Sequence, residues 1–278
     1  MCNKNRTFAV RNFRTAKVRI IFDIVEVKAK KYLGQHFLAD EKVARAIAES
    51  LPTGTGMRVL EVGPGMGVLT KYLCELHGSR LMAVEVDAES VDYLRQNLPD
   101  VNVVFGDFLK LDINQYFGNE NFMVIGNYPY NISSQIFFRV LEMRDRIPVC
   151  SGMIQKEVAE RIAAKPGSKT YGITSVLLQA FYNIEYLMTV HENVFNPPPK
   201  VKSAVIRMTR NGVQSLGCDE ALFIRIVKTA FNQRRKTMRN SLKPMLTEAM
   251  MNADIFNRRP ETLTVGEFVE LTNMISKC

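Results

Sequence analysis

The stretch "VIGNYPYNISS" (124–134) sets Asn127, Tyr128, Pro129 and Tyr130 directly behind a short apolar run. Proline has no amide hydrogen for a sheet ladder, so a strand must end there. The strand's open end then carries an amide side chain, a rigid bend and an aromatic face. Upstream, "VLEVGPGMGVLT" places Gly63, Gly65 and Gly67 between a strand and a helix. Glycine permits the tight turn and lets a ligand approach the backbone, and the helix start offers unpaired amide hydrogens. The spacing is GxGxG and not the GxGxxG of dinucleotide folds, which weakens a pyrophosphate-binding reading. Glu85 follows roughly 20 residues on, where nucleoside-binding folds place an acid to hold both ribose hydroxyls. Asp107, in "FGDF", is placed to accept a hydrogen bond from an adenine amino group, with Phe108 packing beside the ring. Each acid alone is an ordinary solvated charge, and a glycine cluster alone is an ordinary turn. Four such residues at the ends of four successive strands are harder to dismiss.

Alternating elements must position these residues. "DEKVARAIAESL" has apolar residues at 43, 47 and 51 behind a capping Asp40, an amphipathic helix pattern. Strands are predicted at "RVLEV" (58–62), "RLMAVEV" (80–86), "VNVVFG" (101–106) and "NFMVIGN" (121–127), with helices between them. "ISSQIFFRVLE", "KEVAERIAA" and "TSVLLQAF" extend the alternation. Apolar strands between helices predict an α/β fold, a mostly parallel Rossmann-like sheet covered on both faces. In such sheets ligands sit at the carboxyl ends of the strands, where Gly63, Glu85, Asp107 and Asn127 fall. The alternation stops after "SAVIRMTR" (203–210). "NGVQSLG" reads as a linker, followed only by helical patterns, including "DEALFIRIVKTAFNQRRKTMRNSL" and a "TVGEFVEL" helix opened by a Thr264–Glu267 capping box. The predicted division is a basic, disordered extension over 1–31, an α/β domain over 32–210 and a small helical domain over 211–278.

The chain has 278 residues, enough for a core that folds unaided, and a formal charge of +9. That balance favours a polyanionic partner, nucleic acid ahead of an anionic membrane. Five scattered cysteines without a CxxC pair, and three histidines, give neither a zinc site nor a disulfide framework; no metal is expected. The odd cysteine count fits a reducing cytosol. No apolar run approaches the roughly 18 residues that span a membrane. The first 20 residues contain no acid and recurrent basic residues. Besides a disordered arm, they read as residues added by an upstream start or as a targeting leader.

In combination, "YLGQHFL" (32–38), "EVGPGMGVLT", "GNYPYNISS" and "VFNPPPKVKSAVIR" (194–207) resemble the ribosomal RNA adenine dimethyltransferases, most closely the small-subunit (16S) type. The likeness runs from about residue 30 to the C-terminus. It implies an S-adenosylmethionine-dependent enzyme of the cytoplasm that dimethylates two neighbouring adenosines near the 3′ end of that RNA. It further implies a monomer acting on a pre-assembled small subunit, with a role in subunit biogenesis. Carried over residue by residue, it assigns His36, Leu38, Gly63, Gly65, Gly67, Glu85, Asp107, Phe108 and Asn127 to the cofactor. Asn127, Tyr128, Pro129, Tyr130 and Phe195 fall to catalysis. The family commonly has asparagine at His36 and leucine at Tyr128.

The resemblance gives the tetrapeptide a task. An adenine's exocyclic amine is a poor nucleophile because its lone pair is delocalised into the ring. If the Asn127 side-chain oxygen and the Tyr128 carbonyl accept its two N–H bonds, electron density collects on the nitrogen opposite the methyl donor. Pro129 would fix the bend, Tyr130 would stack on the base, and Phe195 would cover its other face or else enter the core. For RNA contact the candidates are Lys200 and Lys202 beside Phe195, and Arg234, Arg235, Lys236 and Arg239 on or near one helix. Two other readings share these features: a large-subunit adenine methylase of the macrolide-resistance type, and a non-catalytic nucleic-acid-binding relative. The intact Asn-x-Pro-Tyr argues against the second. A DNA adenine methylase lacks support because no separate target-recognition domain is evident.

Overall fold

The computed structural model describes residues 29–276. The expectations for the basic extension therefore lie outside the described residues, apart from its last three. Seven strands form the main sheet: β2 (Arg58–Val62), β3 (Leu81–Glu85), β4 (Asn102–Phe105), β5 (Phe122–Asn127), β6 (Val149–Gln155), β7 (Tyr182–Val190) and β9 (Ser203–Arg210). Their order is β4-β3-β2-β5-β6-β9-β7. The first five run parallel, and β9 pairs antiparallel with both β6 and β7. A separate two-stranded pair joins β1 (Phe37–Leu38) to β8 (Phe195–Asn196).

Burial explains why the strands read as continuous apolar runs. β3 is buried at all five positions and β5 at all but its last, as expected for strands covered on both faces. β7 instead alternates along "YNIEYLMTV", the period of an edge strand with one wet face. The predicted elements do not include this strand, for which the alternation in the sequence is the signal.

One face of the sheet, carrying Val59, Ala83 and Ile125, is covered by α1 (Glu41–Ala48), α2 (Val68–His77) and α3 (Ala88–Asn97). The other face carries Leu60, Val84 and Val124. It packs against α4 (Ile113–Phe117), α5 (Ser133–Glu142), α6 (Lys156–Ile162) and α7 (Ile173–Gln179). After Arg210 the chain is helical, with α8 (Glu220–Asn232), α9 (Met238–Ser241) and α10 (Val265–Ser276). Phe223, Ile226, Phe268 and Leu271 of these helices belong to the same apolar cluster as the second sheet face. The helical part thus shares a core with the sheet. Its last helix opens on the expected capping box, with Thr264 Oγ1 accepting from the Glu267 amide at 3.2 Å and Glu267 accepting from the Thr264 amide at 2.8 Å.

One helix is shorter than its sequence pattern predicted. α8 stops at Asn232, residues 233–237 form turns, and α9 begins at Met238. The four polar residues from Gln233 to Lys236 offer nothing to bury, so no apolar stripe carries the helix through them. The fully buried Met238 then anchors the next turn. The basic run therefore lies on a loop between two helices and not along one.

Candidate active site

β2 sits between β3 and β5, so the chain winds outward in both directions from it, and the crevice at the carboxyl ends opens there. An open cavity occupies that crevice. The glycine turn, Glu85, Asp107, Phe108, Asn127, Tyr128, Pro129 and Tyr130 all line it, as do His36 and Leu38 from the segment that crosses over the top. The ordered strand-end residues of the sequence do converge.

The glycine turn needs its glycines. Gly63, Gly65 and Gly67 adopt φ of 71°, 55° and 80°, which L side chains rarely take. A Cβ at Gly65 would lie 3.0 Å from the Phe37 ring of the crossing segment. Glu85 is held across this turn: one carboxylate oxygen accepts from the Gly65 amide at 3.0 Å, the other from Val86 and Asp87 at 2.8 and 3.0 Å. Burial raises its pKa, and the three amides oppose that rise. Asp107 spends one oxygen on the Leu109 amide at 2.9 Å. Its other oxygen lies 3.8 Å from the exposed Lys110 ammonium.

Glu61 is a further member of this wall, one that the pattern of strand-end residues does not single out. It lines the cavity, is fully buried, and neither carboxylate oxygen has a hydrogen-bond partner among the described residues. Burial pushes its pKa up to about 8, and the nearby Glu85 adds to the rise. The signal was an acid inside an apolar strand, "VLEV". A folded-state pKa above the ordinary glutamate value of 4.5 means that unfolding releases this proton at intermediate pH. Stability is therefore lost as pH rises from about 4.5 to about 8, on the order of 4 kcal/mol if no other group compensates. Urea titrations at about pH 5 and about pH 9 are expected to show a smaller loss for Glu61→Gln than for the parent protein. Equal losses would mean that Glu61 is ionised throughout.

The polar corner is built by packing beneath it. The Tyr128 ring is 1% exposed, and its hydroxyl donates to the Ser151 carbonyl at 2.7 Å. Its edge meets Phe137 at 5.6 Å between centroids. Only glycine at 126 and 152 leaves room for that ring: an added Cβ would stand 3.0 Å and 2.5 Å from it. With the ring locked below and the Tyr128 amide donating to the Met153 carbonyl at 3.0 Å, the residue meets the cavity through its main chain. Asn127 Nδ2 donates to the His36 carbonyl at 3.1 Å. A carbonyl can only accept, so this contact sets the amide's orientation and leaves Oδ1 free. Among the described residues, no donor reaches Asn127 Oδ1 or the Tyr128 carbonyl. Tyr130 hydrogen-bonds Ser203 through its hydroxyl.

A second cavity adjoins the first, sharing Gly34, Gln35, His36 and Tyr130 with it and adding Gln155, Pro197, Pro198, Pro199 and Lys200. Gly34 lets the crossing segment approach the corner: a Cβ there would meet Asn131 Oδ1 at 2.7 Å.

Two assignments require correction. Phe195 does not reach either cavity. It is 4% exposed, pairs with Leu38 across β1 and β8, and lies in the apolar cluster with Val59, Ile125 and Val205. In a two-residue strand over a core one side chain must point inward, and the aromatic one does while Asn196 is exposed. Arg239 is not free for a partner either: its guanidinium donates to the Met251 carbonyl, which lies in a tight 3₁₀ turn. Arg234 is half-buried and donates to the Ser168 carbonyl at 3.2 Å. Lys200, Lys202, Arg235 and Lys236 are exposed.

The residues present fit a sulfonium nucleoside. Glu85 and Asp107 both line the cavity and retain acceptor capacity for a ribose and a base, and Gly65 has no Cβ to obstruct it. Fold and site together define a Rossmann-like S-adenosylmethionine-dependent methyltransferase. The structure superposes on a dimethyladenosine transferase from Plasmodium falciparum with a TM-score of 0.75, covering 87% of this chain and 98% of that one at 22% identity. It also superposes on the 23S rRNA methyltransferase ErmE with a TM-score of 0.66, covering 85% and 99% at 26% identity. In sequence it is 61% identical to the ribosomal RNA small subunit methyltransferase A of Parabacteroides distasonis, over 90% of this chain and 95% of the relative. The protein of that name from Porphyromonas gingivalis is 51% identical, over 91% and 100%. The family model for ribosomal RNA adenine dimethylase matches residues 26–277, and the chain belongs to that family. Its methyl donor is S-adenosylmethionine and its substrate is ribosomal RNA.

Proposed function

We propose that the protein dimethylates N6 of two neighbouring adenosines near the 3′ end of the small-subunit RNA, acting in the cytoplasm as a monomer on a pre-assembled subunit. The reading rests on the unpartnered pair of acceptors, Asn127 Oδ1 and the Tyr128 carbonyl, on the wall of the donor cavity. Two acceptors side by side suit an amine with two hydrogens. The small-subunit choice follows the names of relatives between 51% and 61% identical.

S-adenosylmethionine supplies an electrophilic methyl group on sulfur, so no strong base is needed. Asn127 and the Tyr128 carbonyl take the two N–H bonds and concentrate density on the nitrogen. Tyr130 carries the extruded base on its ring, an interaction worth about 1–3 kcal/mol, and the prolines at 197–199 line the same cavity. The methylated nitrogen gives up a proton to solvent. For the second transfer the amine retains one hydrogen and one of the two bonds. The exposed Lys200 lines this cavity, with the exposed Lys202 two residues on, and the exposed Arg235 and Lys236 belong to the helical part after residue 211, which selects the RNA.

Incubation with labelled donor and either unmethylated small or large subunits, followed by mapping of the product, tests the substrate. The expected product is dimethyladenosine at two adjacent positions of the small-subunit RNA. Label confined to the large subunit would replace this reading with the large-subunit one.

A further inference from the structure

Tyr130 lines both cavities and is held at two points. Its main chain follows Pro129 out of β5, and its carbonyl accepts from the Ser133 hydroxyl at 3.3 Å, at the start of α5. The tip of its ring meets Ser203, hydroxyl to hydroxyl, across 73 residues of sequence. Ser203 is fully buried and belongs to the lining of neither cavity. It is the first residue of β9, opposite Gln155 of β6 on one side and Val190 of β7 on the other. Among the described residues the two hydroxyls have no other hydrogen-bond partner, so one donates and the other accepts. Burial raises the Tyr130 pKa and the Ser203 bond opposes that rise, as for a hydroxyl held away from water.

We infer that Ser203 is a positioning residue for methyl transfer, which fixes the plane of the Tyr130 ring by holding its hydroxyl from the first residue of β9. The inference rests on the reading that Tyr130 carries the extruded adenine. Pro129 and Ser133 fix the main chain but leave the ring free to turn about its two side-chain bonds, and an anchor on the sheet removes that freedom. An adenine stacked on a ring so held presents N6 at one angle to Asn127 Oδ1 and the Tyr128 carbonyl. On a loose ring it samples several. The loss then falls on the transfer step and not on capture of the particle, which the basic surface governs.

The test is a double-mutant cycle on kcat and KM for ribosomal particles, beside the dissociation constant for S-adenosylhomocysteine. Ser203→Ala and Tyr130→Phe each remove one hydroxyl and keep the ring. Each is expected to lower kcat about fivefold, with KM for the particle and S-adenosylhomocysteine affinity within about twofold of the parent. The double variant is also expected to lose about fivefold, because the second substitution removes nothing still made; independent residues would multiply to about 25-fold. A multiplied loss, a parallel loss of S-adenosylhomocysteine affinity, or unchanged kcat in both single variants would overturn the inference. If Ser203→Ala unfolds, Tyr130→Phe decides: about a fivefold loss confined to kcat supports the inference, and no loss refutes it. Tyr130→Ala separates the inference from the reading beneath it and is expected to cost about tenfold or more. A kcat near the parent's in that variant would mean that no base stacks on Tyr130, and both would fall; a large loss there beside a multiplied cycle would refute the role of Ser203 alone.

Discussion

Asn127→Ala is expected to reduce methyl transfer by about 10²–10³-fold in kcat or more, while S-adenosylhomocysteine binds nearly as tightly as before. The magnitude is that of removing one preorganised hydrogen-bonding group from a charge-developing centre. The side chain lies at the end of β5, where the following proline turns the chain away from the sheet. Its nitrogen is committed to the His36 carbonyl, so its oxygen is fixed toward the cavity before any substrate arrives. Alanine removes that acceptor and leaves Glu85, Asp107 and the glycine turn untouched. Asn127→Asp tests the orientation separately, because a carboxylate cannot donate to His36 and would set two acceptors against each other. Calorimetry with S-adenosylhomocysteine beside single-turnover kinetics separates the roles. Equal loss of binding and turnover would mean that Asn127 only supports the cavity's shape.

Gly152→Ala has the largest expected effect on stability. β5 and β6 run side by side with Gly126 opposite Gly152. A Cβ at 152 would stand 2.3 Å from the Gly126 carbonyl oxygen and 2.5 Å from the Tyr128 ring. The first obstacle is backbone in the middle of a parallel ladder, so it cannot swing aside as a flexible side chain could. Separating these strands or expelling the Tyr128 ring from its slot is expected to cost about 3 kcal/mol or more. Gly126→Ala meets the Val62 carbonyl at 2.5 Å and is expected to behave alike. Urea unfolding of the purified variants measures the loss. A midpoint within about 1 kcal/mol of the parent would show that the slot relaxes and that Tyr128 is not rigidly seated.

These two sites differ in how far they could be read from the chain. Asn127 was legible because proline, glycine and the end of an apolar run mark it locally, and because Glu85 and Asp107 repeat its position on earlier strands. Gly126 and Gly152 were not, since neither stands in a turn and their need arises only when the strands pair. The same holds for Glu61, whose isolation depends on the absence of partners from distant elements. Phe195 could equally stack on a base or enter the core, and its pairing with Leu38, far away in sequence, decides for the core. Arg239 reads as a surface cation beside its basic neighbours, yet the turn at residues 250–252 captures it. Local pattern thus showed the strand order of the chemistry, whereas contacts between remote segments determined which side chains are free to take part.

A crystal structure with S-adenosylhomocysteine and a small-subunit RNA fragment measures the amine grip directly. The target adenine N6 is expected at about 3 Å from both Asn127 Oδ1 and the Tyr128 carbonyl, with the base plane against Tyr130. An N6 turned away from these two oxygens, toward solvent or another residue, would contradict it.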